Sequence, residues 1–251
     1  KRMRANMRLA ACEDQLHTAL REAGKSILEL PFVWLSSRQR LEKKVQIENW
    51  NLVQAAIDRK KGVIILTPHL GCFELIGQAI AWHTKMTALY RPPRKAILKP
   101  LLEDARASSG MVLAPANLSG VRTLVKALKK GEVIGLLPDQ VPQEGEGVWA
   151  DFFGKPAYTM TLSAKLQTMT GATIILIYAE RLPWGRGYIQ HCIPFEGSLD
   201  GDAQQQATII NHAMEKIIAK ASAQYFWSYH RYKQPPGVSA PLGTSTTQEP
   251  T

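Results

Sequence analysis

At 251 residues with 45% hydrophobic content, the chain can bury one large core, and one α/β domain is the simplest count. Its net charge of +10 implies an anionic partner, but the sequence has no zinc-finger spacing, RRM-type aromatic block or Gly-rich phosphate loop. Nucleic acid is therefore the weakest choice, behind an anionic membrane and an acidic carrier protein.

The chain begins Lys1-Arg2-Met3-Arg4, which reads as a juxtamembrane basic stretch; cytoplasmic leaflets attract such residues by ~1 kcal/mol each. Residues 5–30 are predicted helical, and Leu9, Leu16, Leu20, Ile27 and Leu28 form an approximate stripe expected to pack on the core. No uninterrupted apolar run approaches the ~20 residues that a spanning helix needs. Beyond this segment, strands are predicted over 45–48, 63–66, 86–89, 133–137, 173–179, 188–193 and 225–228. Helices are predicted over 50–60, 73–82, 95–109, 121–130, 162–170 and 203–221. This alternation predicts an α/β domain over 31–233 with a central, mostly parallel mixed sheet flanked by helices. The stretch 173–193 reads as an antiparallel excursion through Pro183-Trp184-Gly185. Residues 234–251, rich in Pro, Ser, Thr and Gly, are predicted to be disordered.

The most informative segment is Val63-Ile64-Ile65-Leu66-Thr67-Pro68-His69-Leu70-Gly71-Cys72-Phe73-Glu74. Four aliphatic residues suit a buried parallel strand, Pro68 disfavours helix at Thr67, and Gly71 permits a tight bend. His69 then sits at the carboxyl end of a strand, where ligands bind in open α/β sheets. It is a candidate general base, with Glu74 as a candidate orienting partner. Residues five apart on a helix point about 140° apart, so the two converge only if His69 lies on the preceding turn. A satisfied structural pair is the competing reading. A zinc site is disfavoured because HExxH spacing is absent.

Two further strand-end loops hold polar residues: Tyr90-Arg91-Pro92-Pro93-Arg94 and Leu136-Leu137-Pro138-Asp139-Gln140. With Phe152-Phe153-Gly154-Lys155-Pro156 and the terminal Trp227, His230 and Arg231, this ordered series resembles the bacterial lipid A late acyltransferase family, the lauroyl/myristoyl transferases. The family's HxxxxE/D motif falls on His69 and Glu74, its Tyr-Arg-Pro on Tyr90, Arg91 and Pro92, and its Pro-Asp-Gln on Pro138, Asp139 and Gln140. The resemblance implies a glycerolipid-acyltransferase-like fold and direct transfer of a fatty acyl chain from acyl carrier protein to a hydroxyl of a lipid A precursor of the Kdo-lipid IVA type. It implies no metal and no organic cofactor. It also implies the cytoplasmic face of a bacterial inner membrane, with an anchoring helix preceding Lys1.

Under that resemblance His69 removes the hydroxyl proton and Glu74 holds the imidazole, or Glu74 is itself the nearer base. Arg91 and Arg94 suit a phosphorylated, carboxylated glycolipid, because guanidinium binds such groups through paired hydrogen bonds; surface charge is the plainer role. Arg122, near a helix start, is a further anion-binding candidate, and Asp139, Gln140 and Arg231 complete the substrate-binding set. Turn stabilisation for Asp139 and a core salt bridge for Arg231 remain open. Cys72, three residues after His69, offers a covalent route as a rival, although packing of a small apolar residue explains it as well. The three cysteines Cys12, Cys72 and Cys192 are too few and too scattered for a disulfide framework and favour a reducing compartment. An acyltransferase for another membrane lipid, such as a glycolipid or ornithine lipid, would leave the His69 and Glu74 pair unchanged. A non-catalytic module for anionic membranes would explain the charge but not the polar strand ends.

Overall fold

The computed structural model describes residues 1–90 and 110–241. The strands β1 (Val45–Glu48), β2 (Val63–Leu66), β3 (Met86–Tyr90), β4 (Val112–Pro115), β5 (Val133–Leu136), β8 (Thr173–Arg181) and β9 (Tyr188–Pro194) form one sheet. Their order is β1-β9-β8-β2-β5-β3-β4. Every pairing is parallel except β8 with β9, so the sheet is mixed but mostly parallel, as the alternation of elements predicts. The antiparallel pair is the expected excursion through Pro183, Trp184 and Gly185. The hairpin of β6 (Gly147–Phe152) and β7 (Lys155–Met160) stands apart as a small second sheet.

Helices cover both faces because successive residues of a strand point to opposite sides. Val63 and Ile65 face α3 (Leu30–Leu35), α4 (Arg38–Glu42), α5 (Trp50–Asp58) and α6 (Phe73–Ala81) in one apolar cluster. Ile64 and Leu66 face α1 (Arg2–Leu9), α7 (Leu118–Lys129), α8 (Leu162–Thr170) and α9 (Ala203–Lys220) in another. The chain passes from β2 over one face through α6, and reaches β5 over the other face through α7. A switch of this kind opens a crevice at the carboxyl ends of β2 and β5.

The amino-terminal segment is not one helix. Ala11 takes a left-handed conformation (φ 51°), and the chain restarts through a short 3-10 turn, Glu13–Gln15, before α2 (Leu16–Leu28). Of the expected core stripe Leu16 packs on the core, but Leu20, Ile27 and Leu28 are 54%, 70% and 79% exposed, and it is Ala19 and Glu22 that α2 buries. Glu22, Ser26 and Glu29 point at one buried guanidinium. Arg181 donates to Glu22 at 2.6 Å, to Ser26 at 3.0 Å and to Glu29 at 2.7 Å, while Tyr188 also donates to Glu29. This cluster ties α2 to the end of β8. Arg181→Met leaves two carboxylates in a site where the side chains are only about 10% exposed. It is expected to cost about 3–5 kcal/mol, read as a drop in urea midpoint at unchanged slope.

Residues 225–228 are not a strand. Only Tyr225 forms a bridge, to Leu70, and the segment otherwise runs as a loop behind the turn that carries His69. Residues 234–241 are irregular, with Trp149 donating to the Ser239 carbonyl. The helix expected over 95–109 lies outside the described residues.

Candidate active site

Register builds the site. Parallel pairing sets Leu66 against Leu136, and three residues beyond each strand stand His69 and Asp139. The offset of the two strands is thus carried into the loops. Asp139 accepts the His69 main-chain N–H at 2.8 Å, and its second oxygen lies 2.8 Å from His69 Nδ1. The Gln140 amide nitrogen lies 3.0 Å from His69 Nε2. An ionised carboxylate only accepts, so Nδ1 carries the proton, Nε2 holds the lone pair, and the Gln140 amide donates to it. Asp139 holds the ring at Nδ1, the contact expected of Glu74, while Glu74 lies with His69 on the wall of the same cleft.

The turn itself is held from behind. Phe226 N–H donates to the His69 carbonyl, Gly71 N–H to Gln224, and Cys72 N–H to Ala179. Gly71 has φ +60°, and a Cβ there would lie 1.9 Å from the Ala179 carbonyl oxygen. The close approach to β8 therefore requires glycine at this bend. Phe73 packs on the imidazole with ring centroids 4.7 Å apart, leaving the side chain 15% exposed on the cleft side.

Asp139 is 2% exposed. Burial pushes its pKa up, but the electrostatic influence of the facing His69, the hydrogen bonds to His69 and the charge of Arg231 bring it below the ordinary carboxylate value. Arg231 is not on the cleft. It is 3% exposed, donates to the Tyr158 carbonyl at 2.7 Å and to Thr159 at 2.6 Å, and stacks over Phe152 at 5.0 Å. Desolvation lowers its pKa, while Tyr225 and Asp139 work in the other direction. A guanidinium this buried holds the β6–β7 hairpin and acts electrostatically on Asp139.

In front of His69 opens a cleft of about 600 Å³. Its walls carry His69, Glu74 and Gln140, together with Lys165 and Glu146, which the sequence reading does not single out. Lys165 sits on the exposed side of α8, and no motif in the sequence marks it. Glu74 stands in the first turn of α6, where a carboxylate favours the helix dipole. Arg122 is exposed on α7 and is not among the cleft residues, although Asn117, Leu118 and Val121 of the same region are. Asn117 also caps α7, accepting from Ser119 and Gly120. Arg91 and Arg94 lie outside the described residues.

Cys72 points away from the cleft and is 2% exposed. Burial, then the Glu29 charge, raises its thiol well above the usual value. A thiol held protonated is a poor nucleophile at neutral pH. Among the described residues, no three His, Cys, Asp or Glu side chains converge as metal ligands.

A carboxylate-oriented imidazole stands at the mouth of an apolar cleft, on the carboxyl edge of a mostly parallel sheet, a geometry in which a ring nitrogen is able to accept a proton. The bacterial lipid A biosynthesis acyltransferase family model matches residues 10–234, and the chain belongs to that family. It is similar to the lipid A biosynthesis lauroyltransferase of Escherichia coli K12, 29% identical over 220 residues, covering 86% of this chain and 71% of that protein. The lipid A biosynthesis palmitoleoyltransferase of the same organism is 26% identical over 225 residues, 89% of this chain and 73% of the relative. A lipid A biosynthesis acyltransferase of Haemophilus influenzae is 25% identical over 229 residues, covering 90% and 72%.

Proposed function

We propose that this acyltransferase moves a fatty acyl chain from the thioester of acyl carrier protein to a hydroxyl of a Kdo-lipid IVA-type precursor, by direct attack. The observation that carries this reading is the Asp139–His69–Gln140 chain facing the cleft. An acceptor hydroxyl takes the place of the Gln140 amide at Nε2. His69 removes its proton as the oxygen attacks the thioester carbonyl, the C–O bond forms, the C–S bond breaks, and the imidazolium returns the proton to the departing thiolate. Asp139 stabilises the imidazolium, and Glu74, on the same cleft wall, is the second carboxylate we hold to be required. Lys165, with Arg91 and Arg94, is proposed to meet the anionic groups of the acceptor.

The surroundings of the cleft support work at the cytoplasmic face of an inner membrane. Trp184, at the turn beyond β8, is 94% exposed with φ 60°, and Leu28 and Leu35 are 79% and 68% exposed. The carboxyl end of β8 places Trp184 on the same sheet edge as His69, and Lys44, which bonds to Gly185, brings the α4 corner there too. Arg38, Arg40, Lys43 and Arg186 are exposed in the same region. Aromatic and basic groups together suit the interface of an anionic leaflet. Among the described residues no helix is long and apolar enough to cross a membrane. Trp184→Ser is expected to weaken partitioning onto anionic vesicles about tenfold, since a large apolar side chain contributes about 1.5–3 kcal/mol on burial, while turnover in micelles is retained. Unchanged vesicle partitioning would remove Trp184 from the interface.

The activity is tested by incubating the chain with acyl carrier protein thioesters and separate acceptors, a lipid A precursor, another glycolipid and an ornithine lipid, and reading acceptor masses. Acylation of the lipid A precursor is the expected result. Preferential acylation of either other lipid would change the acceptor, and no acylation of any would refute transfer.

A further inference from the structure

We propose that Met86 and Met111 plug a glycine-walled slot at the inner end of the cleft, and that how far they yield sets the length of donor acyl chain accepted. The inference rests on the acyltransferase reading and adds to it the residues that decide chain length. The rim of the cleft is polar, with His69, Glu74, Gln140, Glu146 and Lys165. Its inner part runs between α6 and the sheet and is walled by apolar residues such as Ile65, Ile76 and Ala88. At the inner end two glycines stand on the opposed walls, Gly77 on α6 and Gly135 on β5.

A Cβ on Gly135 would lie 2.4 Å from the Met86 methyl carbon, and a Cβ on Gly77 would lie 2.9 Å from the Met111 sulfur and 3.8 Å from the Met86 methyl. The Met86 methyl is therefore held between helix and strand where neither contributes a side chain. Neither glycine is needed for the backbone, because both lie outside the positive-φ set. Glycine in the middle of a helix or strand costs roughly 0.5–1 kcal/mol relative to Ala. Two such costs at facing positions, with no conformational use, mark space that is kept open. The filling is two unbranched thioethers with rotatable stems, the side chains best able to swing aside for a hydrocarbon chain. Met86 opens β3 and pairs with Val133, the first residue of β5, so the slot leads away from His69 along the strands. A chain with its thioester carbonyl at His69 Nε2 extends its tail toward the plug.

The test offers a mixture of carrier protein thioesters from octanoyl to stearoyl and scores the products by mass. Met86→Ala and Met111→Ala are expected to move the preferred donor to longer chains, and Gly135→Val to shorter ones. The ratio of kcat/KM between long and short donors should change by about tenfold or more, the usual worth of a methylene that gains or loses its place in an apolar pocket. Met86→Leu, which conserves volume but swings aside less readily, should favour shorter donors, though less than Gly135→Val does. For a folded variant that loses turnover, dissociation constants for acyl-pantetheine thioesters of the same lengths supply the comparison. Overlaid length profiles among the folded variants would overturn the slot while leaving transfer intact. No transfer from any donor by the parent chain would instead overturn the reading on which the slot rests.

Discussion

His69→Ala is expected to lower acyl transfer by ~10²–10⁴-fold, the range a positioned base contributes, with a urea midpoint close to that of the parent chain. The imidazole is the group on the cleft with a free-facing nitrogen occupied only by an exchangeable side-chain amide, Gln140. Its removal takes away the proton acceptor without opening the core, because the turn is held by main-chain bonds from Phe226, Gly71 and Cys72. The kinetic constants and the denaturation curve are measured on the same preparation. A folded His69→Ala protein that turns over at the parent rate would dismiss His69 as base.

Asp139→Asn is expected to be nearly as damaging, for a reason the geometry makes definite. Two donors, the His69 main-chain N–H and Nδ1–H, meet two carboxylate oxygens. Asparagine offers one acceptor and one donor. With its oxygen on the main chain, its NH₂ faces Nδ1 and drives the proton to Nε2, so the base is lost. With the orientation reversed, two N–H groups oppose each other in a buried site, at a cost of about 1–3 kcal/mol. The expected outcome is a fall in kcat of at least about 10²-fold with a smaller effect on donor KM. Stability carries a matching signature. Because the folded pKa of Asp139 lies below the ordinary value, its contribution is present above the ordinary carboxylate range and is lost as pH falls through the folded pKa. Asp139→Asn should flatten that acid limb in urea titrations. Unchanged kcat would show that Asp139 only shapes the turn.

Much of the sheet was legible because periodicity and composition are local signals. Val63–Leu66 reads as a doubly buried strand and is one, and the antiparallel excursion ending in β9 follows from a turn between two β-rich runs. The hairpin β6–β7 carries its own signal, overlooked when the segment is taken as a motif. Phe153 and Gly154 form a two-residue turn with φ 50° and 71°, the double positive-φ pattern of a tight hairpin. Strand β4 is short and ends at Pro115, so neither length nor period distinguishes it. The amino-terminal stripe misleads because apolar spacing on a helix does not say what covers it: Leu28 faces outward and Glu22 inward.

The site was half legible for a similar reason. His69 and Gly71 announce themselves by strand, turn and backbone need. The pairing of His69 with Asp139 crosses 70 residues and follows only from the β2–β5 register, which no local pattern encodes. For Arg231 the sequence leaves substrate binding and a core role side by side, and the packing of Phe152, Tyr158 and Thr159 around it shows a buried position. Glycines 77 and 135 look like ordinary small residues until Met86 and Met111 are seen against them.

Rapid-quench single turnover tests direct transfer by His69 most closely. Carrier protein bearing a radiolabelled acyl chain is mixed with excess enzyme and a lipid A precursor, and label is followed on carrier, enzyme and lipid. The account predicts that label passes from carrier to lipid in one phase with none bound covalently to the protein, that Cys72→Ser behaves the same way, and that His69→Ala leaves label on the carrier. Label appearing first on Cys72, or reaching lipid at the parent rate in folded His69→Ala, would contradict it.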